Sequence, residues 1–177
     1  MKQKIGVVGL GPMGKAIAIN LLGADFSVLG YDIRSELRYD LESYGGVSLS
    51  SVTEIADSVD LLITSLPNSS ALDLVINDVL KNPRPELVFV ETSTLALDHK
   101  LKAAQRLGND GINLLDCPIS GTPTMLAKMI ASIYISGKEE LYTKNLPVFN
   151  GFTATSFFVG PVGNGTRMKL LANYLVH

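Results

Sequence analysis

Ile5-Gly6-Val7-Val8-Gly9-Leu10-Gly11-Pro12-Met13-Gly14 is an apolar strand that runs directly into three glycines spaced G-x-G-x-x-G. That spacing, after a strand and at the head of a helical pattern, is the context in which a glycine-rich turn receives a dinucleotide. Gly9 permits the tight turn, Gly11 lets the backbone approach a pyrophosphate, and Gly14 lets the helix pack on its strand. Pro12 falls in the first helical turn, where a missing N–H does little harm. The helix N-terminus offers free N–H groups and a partial positive charge to phosphates. A second strand ends in Tyr31-Asp32, and Asp32 lies 18 residues beyond Gly14, about where a ribose-binding acid belongs. Such a carboxylate accepts from ribose hydroxyls and repels a 2′-phosphate. Asp32 could instead only cap the turn into the next helix. Ile5 to Asp32 therefore reads as the half of the site that takes the adenosine of NAD, in preference to NADP. Arg34 keeps NADP open, because an arginine just past the second strand can pair with a 2′-phosphate or simply stand in solvent.

Outward from this stretch, short apolar runs alternate with amphipathic ones. Ile5–Val8, Ser27–Tyr31, Leu61–Thr64, Leu87–Val90, Ile112–Leu115, Ile133–Ile135 and Ser156–Val159 read as strands. Several are almost wholly apolar, which suits a parallel sheet covered on both faces. Met13–Leu22, Ser35–Tyr44, Ser51–Ala56, Ser70–Leu80, Asp98–Leu107 and Glu139–Phe149 read as helices. Strand-helix alternation predicts an α/β fold with a doubly wound, mostly parallel sheet of Rossmann type. A further helical pattern (Met168, Leu171, Ala172, Leu175) starts after Gly163 and Gly165 and runs to His177 with no cap behind it. Exposed on a helix, Met168, Leu171 and Leu175 would point to a homo-oligomer or a missing partner surface.

The totals narrow the class. Of 177 residues, 46% are apolar and 18% charged, as in a well-packed globular chain. A net charge of −2 without long basic runs argues against nucleic acid or an acidic membrane as partner. The single cysteine, Cys117, leaves no internal disulfide and no cysteine zinc site, and fits a reducing compartment. No apolar run reaches spanning length and no signal pattern precedes the first strand, so the cytoplasm is the default expectation. No metal is expected.

Four more segments follow in order: Ser65-Leu66-Pro67-Asn68, Glu91-Thr92-Ser93-Thr94, Asp116-Cys117-Pro118-Ile119-Ser120-Gly121, and Gly163-Asn164-Gly165 with Lys169 and Asn173. Together with the hexapeptide GLGPMG, this set resembles the β-hydroxyacid dehydrogenase family, which includes 3-hydroxyisobutyrate dehydrogenase, tartronate semialdehyde reductase and relatives of 6-phosphogluconate dehydrogenase. Four positions depart from the family pattern: Glu91, Leu97, Thr122 and Met129, the last two standing where glycine is usual. They crowd around the substrate loop and spare the cofactor loop.

The resemblance implies an NAD(P)-dependent oxidoreductase that moves a hydride between nicotinamide and a small 3-hydroxyacid or its semialdehyde. It places Gly9, Leu10, Gly11, Pro12, Met13, Gly14, Asp32, Arg34, Leu66, Pro67, Asn68 and Thr94 at the cofactor, and Ser93, Ser120, Gly121 and Thr122 at the substrate. Lys169 would be the proton-transferring residue, with Asn173 four positions on and on the same helical face. An ordinary lysine has a pKa near 10.4, so the role requires desolvation or a neighbouring cation. The residues alone also allow a solvated lysine on an exposed helix, and a plain turn at Ser120–Thr122. His99 at the start of a surface helix and His177 at the end are poor acid–base candidates, and Cys117 reads as a small buried apolar residue. Met125–Met129 is either a lid or plain core. The resemblance also implies a dinucleotide-binding domain over 1–162, the start of an inter-domain helix over 163–177, and an absent all-helical second domain. A chain of that kind is expected to bind cofactor and turn over poorly. The alternatives are an imine-reductase-like enzyme on the same scaffold, which Lys169 opposes, and a non-catalytic dinucleotide-binding module.

Overall fold

The computed structural model describes residues 2–176; His177 lies outside them. Six parallel strands form the main sheet: β1 (Lys4–Val8), β2 (Ser27–Tyr31), β3 (Val47–Ser48), β4 (Leu61–Thr64), β5 (Val88–Glu91) and β6 (Asn113–Asp116). Their order is β3-β2-β1-β4-β5-β6. The chain moves outward from β1 on one side, then crosses back to β4 and moves outward on the other. This is the doubly wound Rossmann arrangement, with its switch point between β1 and β4. Ile5 pairs with Val28 on one side and Leu61 on the other, and Val8 with Tyr31 and Thr64. The carboxyl ends of β1, β2 and β4 therefore finish level.

The helices cover both faces. On one lie α1 (Pro12–Gly23), α2 (Ser35–Ser43) and α7 (Glu139–Phe152), around a core that includes Ile5, Val7, Ile17, Leu21, Phe149 and Phe152. On the other lie α3 (Val52–Ser58), α4 (Ser69–Val79) and α5 (Leu97–Asn109), around Ile55, Leu62, Ile76, Phe89 and Leu107. All four residues of β4 and of β5 are buried, as central strands of a parallel sheet covered on both faces require. Ser51 caps α3 by accepting from the Glu54 N–H, and Asn68 caps α4 by accepting from that of Ala71.

The last third differs from a simple continuation of the sheet. β7 (Ile119–Ser120), β8 (Ser132–Ile135) and β9 (Thr155–Phe158) form a separate three-stranded sheet, antiparallel between β7 and β8 and parallel between β8 and β9. The strands expected at Ile133–Ile135 and Ser156–Val159 exist but belong here. The short α6 (Pro123–Ala127) lies between β7 and β8, and α8 (Asn164–Val176) closes the described chain. Strands β3 and β7 were not anticipated. Each has two residues, too few for a period to register. α7 continues past Pro147 to Phe152, longer than expected, because buried Val148, Phe149 and Phe152 hold it in the core beside α1 and β9. No helix among the described residues is long and apolar enough to cross a membrane.

Candidate functional site

The loops after β1, β4, β5 and β6 meet at the carboxyl edge of the sheet. The Ser65 N–H donates to Val8 O at 2.9 Å, the Thr92 N–H to Thr64 O at 3.0 Å and the Cys117 N–H to Glu91 O at 2.8 Å. The four predicted motif segments at these strand ends are thereby sewn together in space.

The three glycines of the first loop do three different things. Gly9 has φ +87°, and a Cβ there would penetrate Ser65 O. A Cβ on Gly14 would penetrate Gly9 O. At Gly11 the nearest atom to such a Cβ is the Arg34 guanidinium, 3.9 Å away. Gly9 and Gly14 are thus demanded by packing, whereas Gly11 leaves an open face beside the helix start. The first bond of α1 runs from the Lys15 N–H to Gly11 O at 2.8 Å, so the Met13 and Gly14 N–H groups precede the ladder. An open glycine beside free helix-start donors is a cradle that fits a pyrophosphate. Pro12 is exposed at the first position of α1, and Met13 is half-buried against the core. Leu10 contributes differently from expectation: its side chain is buried and its N–H donates to Asp32 Oδ2 at 2.8 Å.

Asp32 performs the structural task that sequence reading kept as the alternative. Oδ2 takes the Leu10 N–H, and Oδ1 takes the Arg34 N–H at 2.9 Å with the Arg34 Nε at 3.5 Å. These bonds clasp the glycine loop to the end of β2, and the remaining lone pairs are the ones a ribose hydroxyl could meet. Arg34 is half-exposed, and Arg38 donates to Asp32 O at 2.6 Å while lying 5.8 Å from the centre of the Tyr31 ring. Next to Asp32, Ile33 is 86% exposed, an apolar surface at the edge of the cradle that the motif does not flag.

The second and third loops support each other. Leu66 is half-buried, Pro67 exposed, and the Leu66 N–H donates to Ser93 Oγ at 2.8 Å. Ser93 is buried and serves as the strut under the Leu66-Pro67 turn, while its neighbour Thr94 is exposed. Asn68 caps α4 through Oδ1, which leaves its amide N–H groups to other partners.

Ser120 pairs with Ser132 at the edge of the small sheet. Gly121 has φ +144°, and a Cβ there would lie 2.9 Å from Ala131 Cβ. Thr122 Oγ1 accepts the Met125 N–H at 3.2 Å and so caps α6. In Met125–Met129 only Leu126 is core, fully buried, whereas Met125 and Met129 are exposed. Met129 is left-handed at φ +56°, a conformation costly for a side chain. Its Sδ accepts from Asn20 Nδ2 at 3.2 Å. Asn20 also donates to Leu126 O at 2.8 Å and to Phe152 O at 3.2 Å. This one amide ties α6 and the end of α7 to α1, and the sequence motifs do not single it out. Its signal was a lone polar residue beside the apolar face of α1.

Lys169 is half-buried on α8, and desolvation pulls its pKa below the ordinary 10.5. Asn173 lies one turn on and is exposed. His99 is exposed near the start of α5. Cys117 is fully buried, and burial followed by the nearby Asp116 charge pushes its thiol well above its ordinary value, so it is an inert packing residue. No group of His, Cys, Asp and Glu among the described residues is arranged to hold a metal.

A family model described as the NAD binding domain of 6-phosphogluconate dehydrogenase matches residues 4–160. The 2-(hydroxymethyl)glutarate dehydrogenase of Eubacterium barkeri is 30% identical, over 98% of this chain and 58% of its own length. The cytokine-like nuclear factor N-PAC of Pongo abelii is 32% identical, over 97% of this chain and 32% of its own length. Among solved structures, Mycobacterium tuberculosis 3-hydroxyisobutyrate dehydrogenase with L-serine superposes with a TM-score of 0.94 at 26% identity. It covers 99% of this chain, which spans 60% of that protein.

Proposed function

The chain belongs to the family of the NAD binding domain of 6-phosphogluconate dehydrogenase, and on that premise we propose that it is the cofactor-binding part of an NAD(P)-dependent β-hydroxyacid dehydrogenase. The observation that carries this reading is the division of labour among the glycines: two closed by packing, and Gly11 open in front of the free N–H groups of α1. The relatives' names, 2-(hydroxymethyl)glutarate dehydrogenase and 3-hydroxyisobutyrate dehydrogenase, support the same class of substrate.

A nicotinamide dinucleotide, when bound, supplies the ring that exchanges a hydride with the substrate carbon. The chain's own residues bind and orient. Met13 and Gly14 offer N–H groups to the pyrophosphate, Asp32 meets the ribose, and Leu66, Pro67, Asn68 and Thr94 line the way to the nicotinamide. Asp32 favours NAD over NADP, while the exposed Arg34 guanidinium leaves a cation within reach of a 2′-phosphate. Ser120, Gly121 and Thr122 face the substrate carboxylate, with Ser93 behind them. Lys169 moves the hydroxyl proton, and Asn173 orients it. In hydroxyacid oxidation the neutral amine is the active form, so the rate falls as pH drops below the Lys169 pKa. Desolvation moves that limb down from 10.5. In this reading 1–162 is the dinucleotide-binding domain, 163–177 begins an inter-domain helix, and the protein acts in the cytoplasm as a possible homo-oligomer.

Calorimetric titration of the 177-residue chain with NADH and NADPH is the test. The proposal expects NADH to bind, more tightly than NADPH, with little turnover of a small hydroxyacid by the chain alone. Binding of neither nucleotide overturns it, and robust turnover overturns the expectation that this chain binds cofactor but turns over poorly. In a protein carrying both domains, Lys169→Ala should lower the oxidation rate by about 10²–10⁴-fold without loss of NADH affinity. An unchanged rate would move the proton to another residue.

A further inference from the structure

Three ionisable side chains lie fully buried between β5, β6 and α5, and none has a part in the mechanism above. Lys100 Nζ lies 2.8 Å from Glu91 Oε2 and 2.8 Å from Asp116 Oδ1. All three residues are 0% exposed. Burial pulls the Lys100 pKa down, but the Glu91 and Asp116 charges outweigh it and the net direction is up, so the ammonium persists. Burial pushes the Glu91 carboxyl up, against the opposing pull of Lys100. Lys100 thus bridges the two carboxylates, and of the two only Asp116 carries the contact on to α8.

Asp116 looks outward as well. Its Oδ2 accepts the Thr166 N–H at 2.8 Å, and its Oδ1 accepts the Thr166 hydroxyl at 2.9 Å. The neighbouring Gly165 N–H donates to Ser136 Oγ at 2.9 Å. These are donors of the first turn of α8, which no intrahelical carbonyl can satisfy. The approach is close: a Cβ on Gly165 would lie 2.5 Å from Asp116 O and 2.9 Å from Tyr134 O. Beyond this turn the helix is held by little. Leu170, Leu171, Tyr174 and Leu175 are all exposed. A carboxylate at a helix start also suits the helix dipole.

We propose that Lys100 and Asp116 are positioning residues: the buried Lys100–Asp116 pair, acting through Thr166, fixes the direction in which α8 leaves the sheet and thereby where Lys169 is presented. The anchoring stands on geometry alone, and only its consequence for proton transfer rests on the function proposed above. The competing account is a buried ion cluster that merely stabilises β5 and β6, without influence on α8.

Amide exchange of the whole chain, with an NMR titration of the Lys169 ammonium, separates the two. Thr166→Val removes the hydroxyl and keeps the shape, and Thr166→Ser keeps the hydroxyl. The proposal expects Thr166→Val to lower protection of the Thr166–Lys169 amides by about tenfold, leaving Leu114 and Leu115 unchanged. It also expects the Lys169 pKa to return toward 10.5. Thr166→Ser should stay within about threefold of the parent in protection. Lys100→Met should reproduce the Thr166→Val pattern at α8; if it fails to fold, the threonine pair carries the test. Unchanged α8 protection in Thr166→Val, or equal loss in Thr166→Ser, overturns the proposal. Failure of the parent chain to bind NADH would sink the functional reading and leave this result standing.

Discussion

The glycine loop Gly9–Gly14 and the segment Ser120–Ile130 both pack against α1 and are held by opposite means. At Gly9–Gly14 the restraint is backbone against backbone: carbonyls of Gly9 and Ser65 occupy the space where side chains of Gly14 and Gly9 would go. At Ser120–Ile130 the restraint is a few side chains, above all Asn20 with its three acceptors and Thr122 capping α6. Backbone contact admits only glycine at Gly9 and Gly14. Side-chain tethers admit substitution more readily. The difference is between a loop that steric contact closes to change and a segment that side chains hold in place.

The largest expected effect tests the rigid side. Gly14→Ala forces a methyl group into Gly9 O, so the fold should lose about 3 kcal/mol or more and NADH binding should vanish. Urea unfolding and a nucleotide titration of the variant check both. A variant that binds as well as its parent would mean that the loop is softer than its contacts imply. Next comes the tether. Asn20→Ala leaves the Phe152 carbonyl without its side-chain donor and the Leu126 carbonyl with the Met129 N–H alone, and the expected cost is about 1–3 kcal/mol. Exchange should quicken in α6 and leave β1 untouched, and equal acceleration in both would erase the distinction between the two regions. The smallest effect should be a gain. Met129→Gly relieves the left-handed residue at φ +56° while giving up one sulfur contact, for a net stabilisation of up to about 1 kcal/mol. A clear loss in a thermal melt would show that the thioether contact outweighs the backbone.

The same contrast explains what could be read from the sequence. The parallel sheet is legible because β1, β4 and β5 are apolar in all but one residue each, and the cradle because the glycine spacing is a steric necessity. The split into a second sheet was not, since β7 has only two residues and its pairing with β8 bridges an eleven-residue gap. Asp32 was read as a ribose acid, yet its bonds to the Leu10 and Arg34 N–H groups depend on a turn that no spacing specifies. Lys100 left a trace: it shares the stripe of Ala103 and Leu107, the buried face of α5, and a lysine in such a stripe needs a partner. Asn20 is recognisable only once α6 is seen to lie across α1.

The most direct test of the central claim is an amide chemical-shift map of the chain titrated with NADH. The account predicts shifts concentrated at Gly11, Met13, Gly14, Ile33 and Leu66, with the Asn20-tethered segment at Leu126–Met129 barely moved. Shifts absent from Gly11–Gly14, or centred on Ser120–Met129 instead, would contradict it.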